Sequence, residues 1–275
     1  MSDLMPEMTD EPGNCAPHGR GRRRSRWFAL GGAILVLLTS IAFQRTIHPR
    51  PVEDTDLTKL IAPDTCSYFR VARYLADEHA NVYLRTPGLP ISLRATAWWI
   101  GVDFDKVVVP SRRWEDASDD GKRVIRAALR VFDFMGCLLP LIIYGAVLLL
   151  CGIPWLAVLA SFAYMADIGS VCSQSVLMTE FPATFWTWLS LAATAGLFRR
   201  PGPGTGLLAG LAAGWAAWIR PDCLLLGVLA FPLLVLMLWW YRSRFPWRRA
   251  VLTCCVFLTA FATLVVGCCY PGFPI

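Results

Sequence analysis

The chain has 275 residues, 56% of them apolar and only 17% charged, a balance outside that of soluble domains of this length. Its net charge of +6 sits in arginines at the ends of apolar runs. That pattern fixes orientation in a bilayer and gives no nucleic-acid signal.

Residues 1–26 carry no apolar periodicity and read as a disordered basic N-terminus. It ends in the run Gly19–Arg26, rich in arginine, directly before the apolar stretch Trp27–Phe43. Such a run holds the N-terminus in the cytoplasm. A secretory signal peptide is the rival, but no A-x-A-like cleavage site follows Phe43, so an uncleaved anchor is expected. Residues 27–275 then read as one membrane domain. Further apolar runs follow at Leu129–Cys151, Trp155–Ile168, Phe181–Phe198, Gly206–Ile219, Cys223–Tyr241 and Val251–Tyr270. The expected fold class is therefore all-α: a polytopic membrane protein of about seven membrane helices, since ~20 apolar residues cross the hydrocarbon. Alternation puts Arg199, Arg200 and the Arg242–Arg249 cluster inside, and the short loops Gly169–Glu180 and Arg220–Asp222 outside.

The outer loop, residues 44–128, exceeds the length at which the charge rule applies. It carries a helical pattern at Tyr68, Val71, Ala72 and Leu75, which predicts an amphipathic helix starting near Thr65. Pro87-Gly88-Leu89-Pro90 is expected to break the chain. Ile91–Ile100 is apolar but too short to span, and predicts a surface helix with Trp98 and Trp99 at headgroup level. Arg112–Asp120 reads as a charged surface excursion.

The cysteines lie mostly in apolar runs (Cys137, Cys151, Cys223, Cys254, Cys255), where cysteine packs as a small hydrophobe. Cys254-Cys255 and Cys268-Cys269 lack the spacing and histidine company of a zinc site. No metal or other cofactor is expected. Gly206, Gly210 and Gly214 form a small-residue stripe suited to close helix packing.

Acids at membrane boundaries are the candidate functional residues, because each costs free energy unless solvated, paired or used. Glu180 opens the run Phe181–Phe198, with Pro182 near the helix start. It caps that helix, positions a ligand, or pairs with an arginine. Asp64 stands before the helix at Thr65, and is either an N-cap, worth about 1 kcal/mol, or a catalytic base. Asp54 and Asp56 are its rivals, in a stretch without helical pattern. Arg220 lies between two apolar runs and either pairs with Asp222, snorkels, or holds an anion.

Asp64 with Tyr68 and Leu75, Arg85-Thr86-Pro87-Gly88-Leu89-Pro90, Thr179-Glu180, and Gly210–Gly214 followed by Arg220-Pro221-Asp222 occur in that order. The set resembles bacterial membrane glycosyltransferases of the C-type fold, the group that includes aminoarabinose transferases and protein O-mannosyltransferases. Leucine replaces the usual tyrosine of R-T-P-G-Y-P, and Asp222 the usual glutamate of R-P-E. The resemblance covers Trp27 to Tyr270, the catalytic half of such enzymes, and implies a chain lacking their usual C-terminal helices. It implies a bacterial cytoplasmic membrane location and sugar transfer from a polyprenyl-phosphate donor to a lipid, glycan or protein acceptor on the outer face. It further implies Asp64 as the base or orienting anion for the acceptor hydroxyl. Arg85 and Arg220 would hold the leaving phosphate through their planar forks, with Glu180, Tyr68 and Asp222 completing the substrate site. A transporter or flippase subunit, and an inactive relative that binds a partner, are the alternatives. Transporters place their ionisable residues near the midplane in broken helices, whereas these acids cluster at helix ends.

Overall fold

In a computed structural model, the structure describes residues 18–47, 65–74, 86–109, 117–167, 169, 173–174, 176–199, 201–225, 227–228, 235–236, 239 and 247–269. Among these residues no strand occurs. The principal helices are α1 (His18–Ile47), α2 (Thr65–Tyr74), α3 (Gly88–Trp99), α4 (Asp119–Cys151), α5 (Pro154–Ala166), α6 (Glu180–Arg199), α7 (Pro203–Ile219) and α8 (Trp247–Cys269).

Three of the helices are long and apolar enough to cross a membrane: Trp27–Thr46 within α1, α4, and Trp247–Val266 within α8. Against the expected seven spans, α5 is a shorter apolar helix. α6 and α7 form where the sequence predicts helices, yet fall outside that set. Most of the run Cys223–Tyr241 lies outside the described residues. Large apolar side chains on α1 (Trp27, Phe28, Ile34, Leu35, Leu38) and α8 (Trp247, Val251, Leu252, Val266) point outward, as lipid-facing helices require.

α4 begins ten residues before the expected span at Leu129. Ser118 caps it, its hydroxyl accepting from the Gly121 N–H at 3.1 Å, and Asp119 and Asp120 sit in the first turn, where negative charge offsets the helix dipole. At 33 residues it is about 50 Å long, so its first turns extend past an apolar window. Pro140 lies inside α4 and cannot donate to the Gly136 carbonyl. The Ser40 hydroxyl of α1 lies 3.5 Å from that carbonyl and donates to Cys137 O at 3.0 Å. Ser161 of α5 donates to Pro140 O at 2.9 Å. The Ser40 hydroxyl from a neighbouring helix thus stands beside the break in the ladder.

The predicted amphipathic helix forms as α2, burying Cys66, Tyr68, Phe69 and Ala72. Pro87–Pro90 does not break the chain; it starts α3. Pro90 falls in the first turn, where a missing N–H has no intrahelical partner to lose. α3 buries Leu89, Leu93 and Ala97 and leaves Trp98 and Trp99 exposed. Phe69 stacks on Phe104 with ring centroids 5.8 Å apart, so α2, α3 and the start of α4 share one core with Leu177, Phe181 and Phe185.

Contacts along the helices set their directions. Tyr144 donates to Ala29 O at 2.7 Å while Ser40 reaches Cys137, so α1 and α4 are antiparallel. Arg199 caps the last carbonyls of α4, donating to Leu149 O at 2.8 Å, and Phe181 meets Phe132 near the other end, so α4 and α6 are parallel. Ser190 of α6 donates to Ala209 O of α7 at 3.1 Å. The glycine stripe packs as expected. A Cβ at Gly206, Gly210 or Gly214 would come within 2.9 Å of Thr253 O, Phe257 O or the Leu264 side chain, so α7 and α8 run parallel in close contact. One end of the bundle therefore gathers Gln44, α2, α3, Glu180 and Arg220. The opposite end gathers Cys151, Arg199, Pro203 and Trp247.

Candidate functional site

Arg220 ends α7. The residue before a proline is driven to extended backbone, and Arg220 has φ −139° and ψ 126°, so the helix stops there while its N–H still donates to Ala216 O at 2.8 Å. Pro221–Cys223 then forms a single 3-10 turn, which swings Asp222 back under the guanidinium. The Asp222 carboxylate takes the fork edge: Nε to Oδ1 is 3.1 Å and Nη2 to Oδ2 is 3.0 Å. Across the helix boundary, Nη1 donates to Glu180 Oε1 at 3.2 Å. The pairing of Arg220 with Asp222 and the pairing of Glu180 with an arginine are thus both present.

Glu180 is the first residue of α6, whose opening turn is closed by Ala183 N donating to Thr179 O at 3.1 Å. Phe181, fully buried, anchors that turn in the core. The three charged side chains are partly open: 36% for Arg220, 43% for Glu180 and 61% for Asp222. Ion pairs this exposed contribute at most about 1 kcal/mol, so the cluster is poorly explained as a stability device. The hydrogen bond that Arg220 donates to Asp222 raises the Arg220 pKa further, against a smaller opposing effect of burial, with the Asp222 and Glu180 charges adding to the rise. Arg220 uses three of its five N–H donors on the two carboxylates, and the other two have no partner among the described residues. Glu180 Oε2 is buried and has no hydrogen-bond partner among the described residues.

Asp64 and Arg85 lie outside the described residues, as do Asp54 and Asp56. Their chain neighbours do not. Thr65, next after Asp64, donates its hydroxyl to Leu177 O at 3.1 Å, three residues before Glu180. Thr86, next after Arg85, donates to Ile219 O at 2.5 Å, one residue before Arg220. Gly88 explains how the second contact is possible: a Cβ there would stand 2.7 Å from Ile219 N and from Trp218 C, so only glycine lets α3 lie against the end of α7. Tyr68 is 4% exposed and packs in the core.

Sequence reasoning missed Thr65 and Thr86 as tethers. It also missed an amide pair at the same end of the bundle, Gln44 Nε2 donating to Gln174 Oε1 at 2.7 Å. A lone glutamine closing an apolar run carries no periodic signal. Its one sequence mark is a polar side chain placed where hydrocarbon begins. Among the described residues no group of three or more His, Cys, Asp or Glu is arranged to hold a metal ion. No family model matches the chain, and neither does any curated protein or solved structure.

Proposed function

We propose that this chain is a membrane glycosyltransferase that takes a sugar from a polyprenyl-phosphate donor and passes it to a hydroxyl acceptor at the Glu180–Arg220 end of the bundle. The observation that carries the proposal is convergence. The segments that follow Asp64 and Arg85 are tethered within three residues of Glu180 and Arg220, and these two are joined at 3.2 Å. The three membrane-length helices support a membrane location, and the arginine run before Trp27 supports a cytoplasmic N-terminus.

In this scheme the two remaining donors of Arg220, with Arg85, take the phosphate of the lipid carrier as its charge grows on cleavage of the glycosidic bond. Asp222 holds the guanidinium plane, and Glu180 fixes its other edge. Asp64 accepts the proton of the acceptor hydroxyl or orients it. The acceptor is a lipid, a glycan or a protein, and no metal is required by the roles assigned.

The test is transfer of radiolabelled sugar from a panel of polyprenyl-phosphate sugars by the full chain in liposomes, compared with Asp64→Asn. The proposal expects transfer by the wild type and loss of at least a hundredfold in the variant, with insertion unchanged. Equal transfer by both would remove Asp64 from the chemistry; no transfer with any donor, from protein that is folded, would overturn the assignment.

A further inference from the structure

We infer that the Gln44–Gln174 amide pair is a positioning strut which holds Glu180 against Arg220, so that α1 sets the geometry of a site built by α6 and α7. The inference rests on the reading of this end of the bundle as the ligand site only for what the site binds. The strut itself follows from packing.

Gln174 is 1% exposed and Gln44 7%. Burying two primary amides where a membrane helix ends is unfavourable unless they satisfy each other. They do so in part: Gln44 Nε2 donates to Gln174 Oε1 at 2.7 Å, and Gln174 Nε2 donates to the Tyr164 hydroxyl of α5 at 3.3 Å. One side chain thereby ties α1, α5 and the segment leading into α6. The site is shaped for this pair. A Cβ on Gly136 of α4 would come within 2.5 Å of Gln174 Oε1 and 2.7 Å of Gln44 Nε2, so glycine at 136 is what admits the amides between the helices.

The segment between this tie and the ion network is short. Residues 176–179 form bends rather than a helix, so no ladder of main-chain hydrogen bonds fixes their path. Two anchors fix it instead: the Gln174 amide, and Leu177, whose side chain is fully buried and whose carbonyl accepts from Thr65. Glu180 follows three residues later and meets Arg220 with one oxygen only. A carboxylate held by a single bond depends for its placement on how its chain is delivered. The Gln44 carbonyl oxygen is buried without a partner among the described residues.

The experiment is a double-mutant cycle on the ion pair, read as thermal unfolding of the full chain in lipid nanodiscs. Glu180→Gln and Arg220→Gln are made singly and together, in the wild-type, Gln174→Leu, Gln44→Leu and Gly136→Ala backgrounds. The wild-type background is expected to show non-additivity of about 2 °C for a partly exposed pair. In the three strut backgrounds it should fall to zero. Ser161→Ala, which removes a buried hydroxyl between α5 and α4, should lower Tm and leave the coupling intact. If one strut variant fails to fold, the other two give the same answer. Unchanged coupling in the strut backgrounds would overturn the inference, because Phe181 packing alone would then place Glu180. Loss of coupling in Ser161→Ala would overturn it too, as general loosening. Binding of a polyprenyl monophosphate to the same variants separates the claims: coupling lost with lipid binding unchanged supports the strut and counts against the lipid-phosphate assignment.

Discussion

The hydroxyl of Thr86 donates to the main-chain carbonyl of Ile219 at 2.5 Å, and two residues on, Gly88 lies against the preceding peptide, between Trp218 and Ile219. A motif after the first membrane helix is thereby docked on the residue before Arg220. The carbonyls at the end of a helix have no intrahelical partner, and Ile219 O finds one in a side chain from another segment.

Gly88→Ala tests this contact. Two of the three atoms a Cβ would strike are backbone, at 2.7 Å, so no rotamer change relieves the clash. The cost of such overpacking is about 1–3 kcal/mol, and Tm should fall by several degrees. The readout particular to the site is weaker binding of a polyprenyl monophosphate, because the end of α7 must shift. A variant with both properties unchanged would show that α3 does not dock there.

The α7–α8 contact gives a paired prediction. A Cβ at Gly210 would meet Phe257 O at 2.5 Å, while one at Gly31 in α1 would meet nothing within 4 Å. Gly210→Ala should therefore destabilise by about 1–3 kcal/mol. Gly31→Ala should be neutral or stabilise by up to about 1 kcal/mol through helix propensity. Equal effects on Tm, measured side by side in one detergent, would contradict the parallel packing.

What the sequence made legible follows from periodicity and small residues. The pattern Tyr68, Val71, Ala72 placed α2, and the spacing of Gly206, Gly210 and Gly214 marked a face of close helix packing without naming its partner, α8. Hydropathy failed at the start of α4, because Asp119, Asp120, Lys122 and Arg123 look like loop residues while serving as the polar first turns of a long helix. The ion network was half legible. Glu180, Arg220 and Asp222 stood out as charges among apolar runs, and the pairing of Arg220 with Asp222 was one of the expected alternatives. That Glu180 belongs with Arg220, 40 residues away, is a property of α6–α7 packing with no local trace. The Gln44–Gln174 pair, 130 residues apart, is hidden for the same reason.

Asp103 gives a pH prediction outside the spans. It caps the 3-10 turn Phe104–Lys106; the Asp105 N–H lies 3.2 Å from Oδ1, and Lys106 Nζ 3.3 Å from Oδ2. These bonds, the Asp105 N–H first, hold its carboxyl below the usual carboxylate value. Since the folded pKa is the lower one, its stabilising effect is present above the unfolded pKa of about 4 and is lost as pH falls through the folded value. The Tm gap between wild type and Asp103→Asn should thus be small but constant near neutrality and close in acid. A gap independent of pH would show that the cap acts by shape alone.

The central claim is that the Glu180–Arg220–Asp222 network holds a lipid phosphate, and native mass spectrometry of the full chain with a polyprenyl monophosphate tests it most directly. Saturable binding by the wild type is expected, competed by inorganic pyrophosphate. Arg220→Ala should weaken binding at least tenfold, as expected for loss of a charge-assisted contact of roughly 1.5–3 kcal/mol, while Arg199→Ala at the opposite end of the bundle should leave it unchanged. Equal affinity in the wild type and Arg220→Ala would contradict the account.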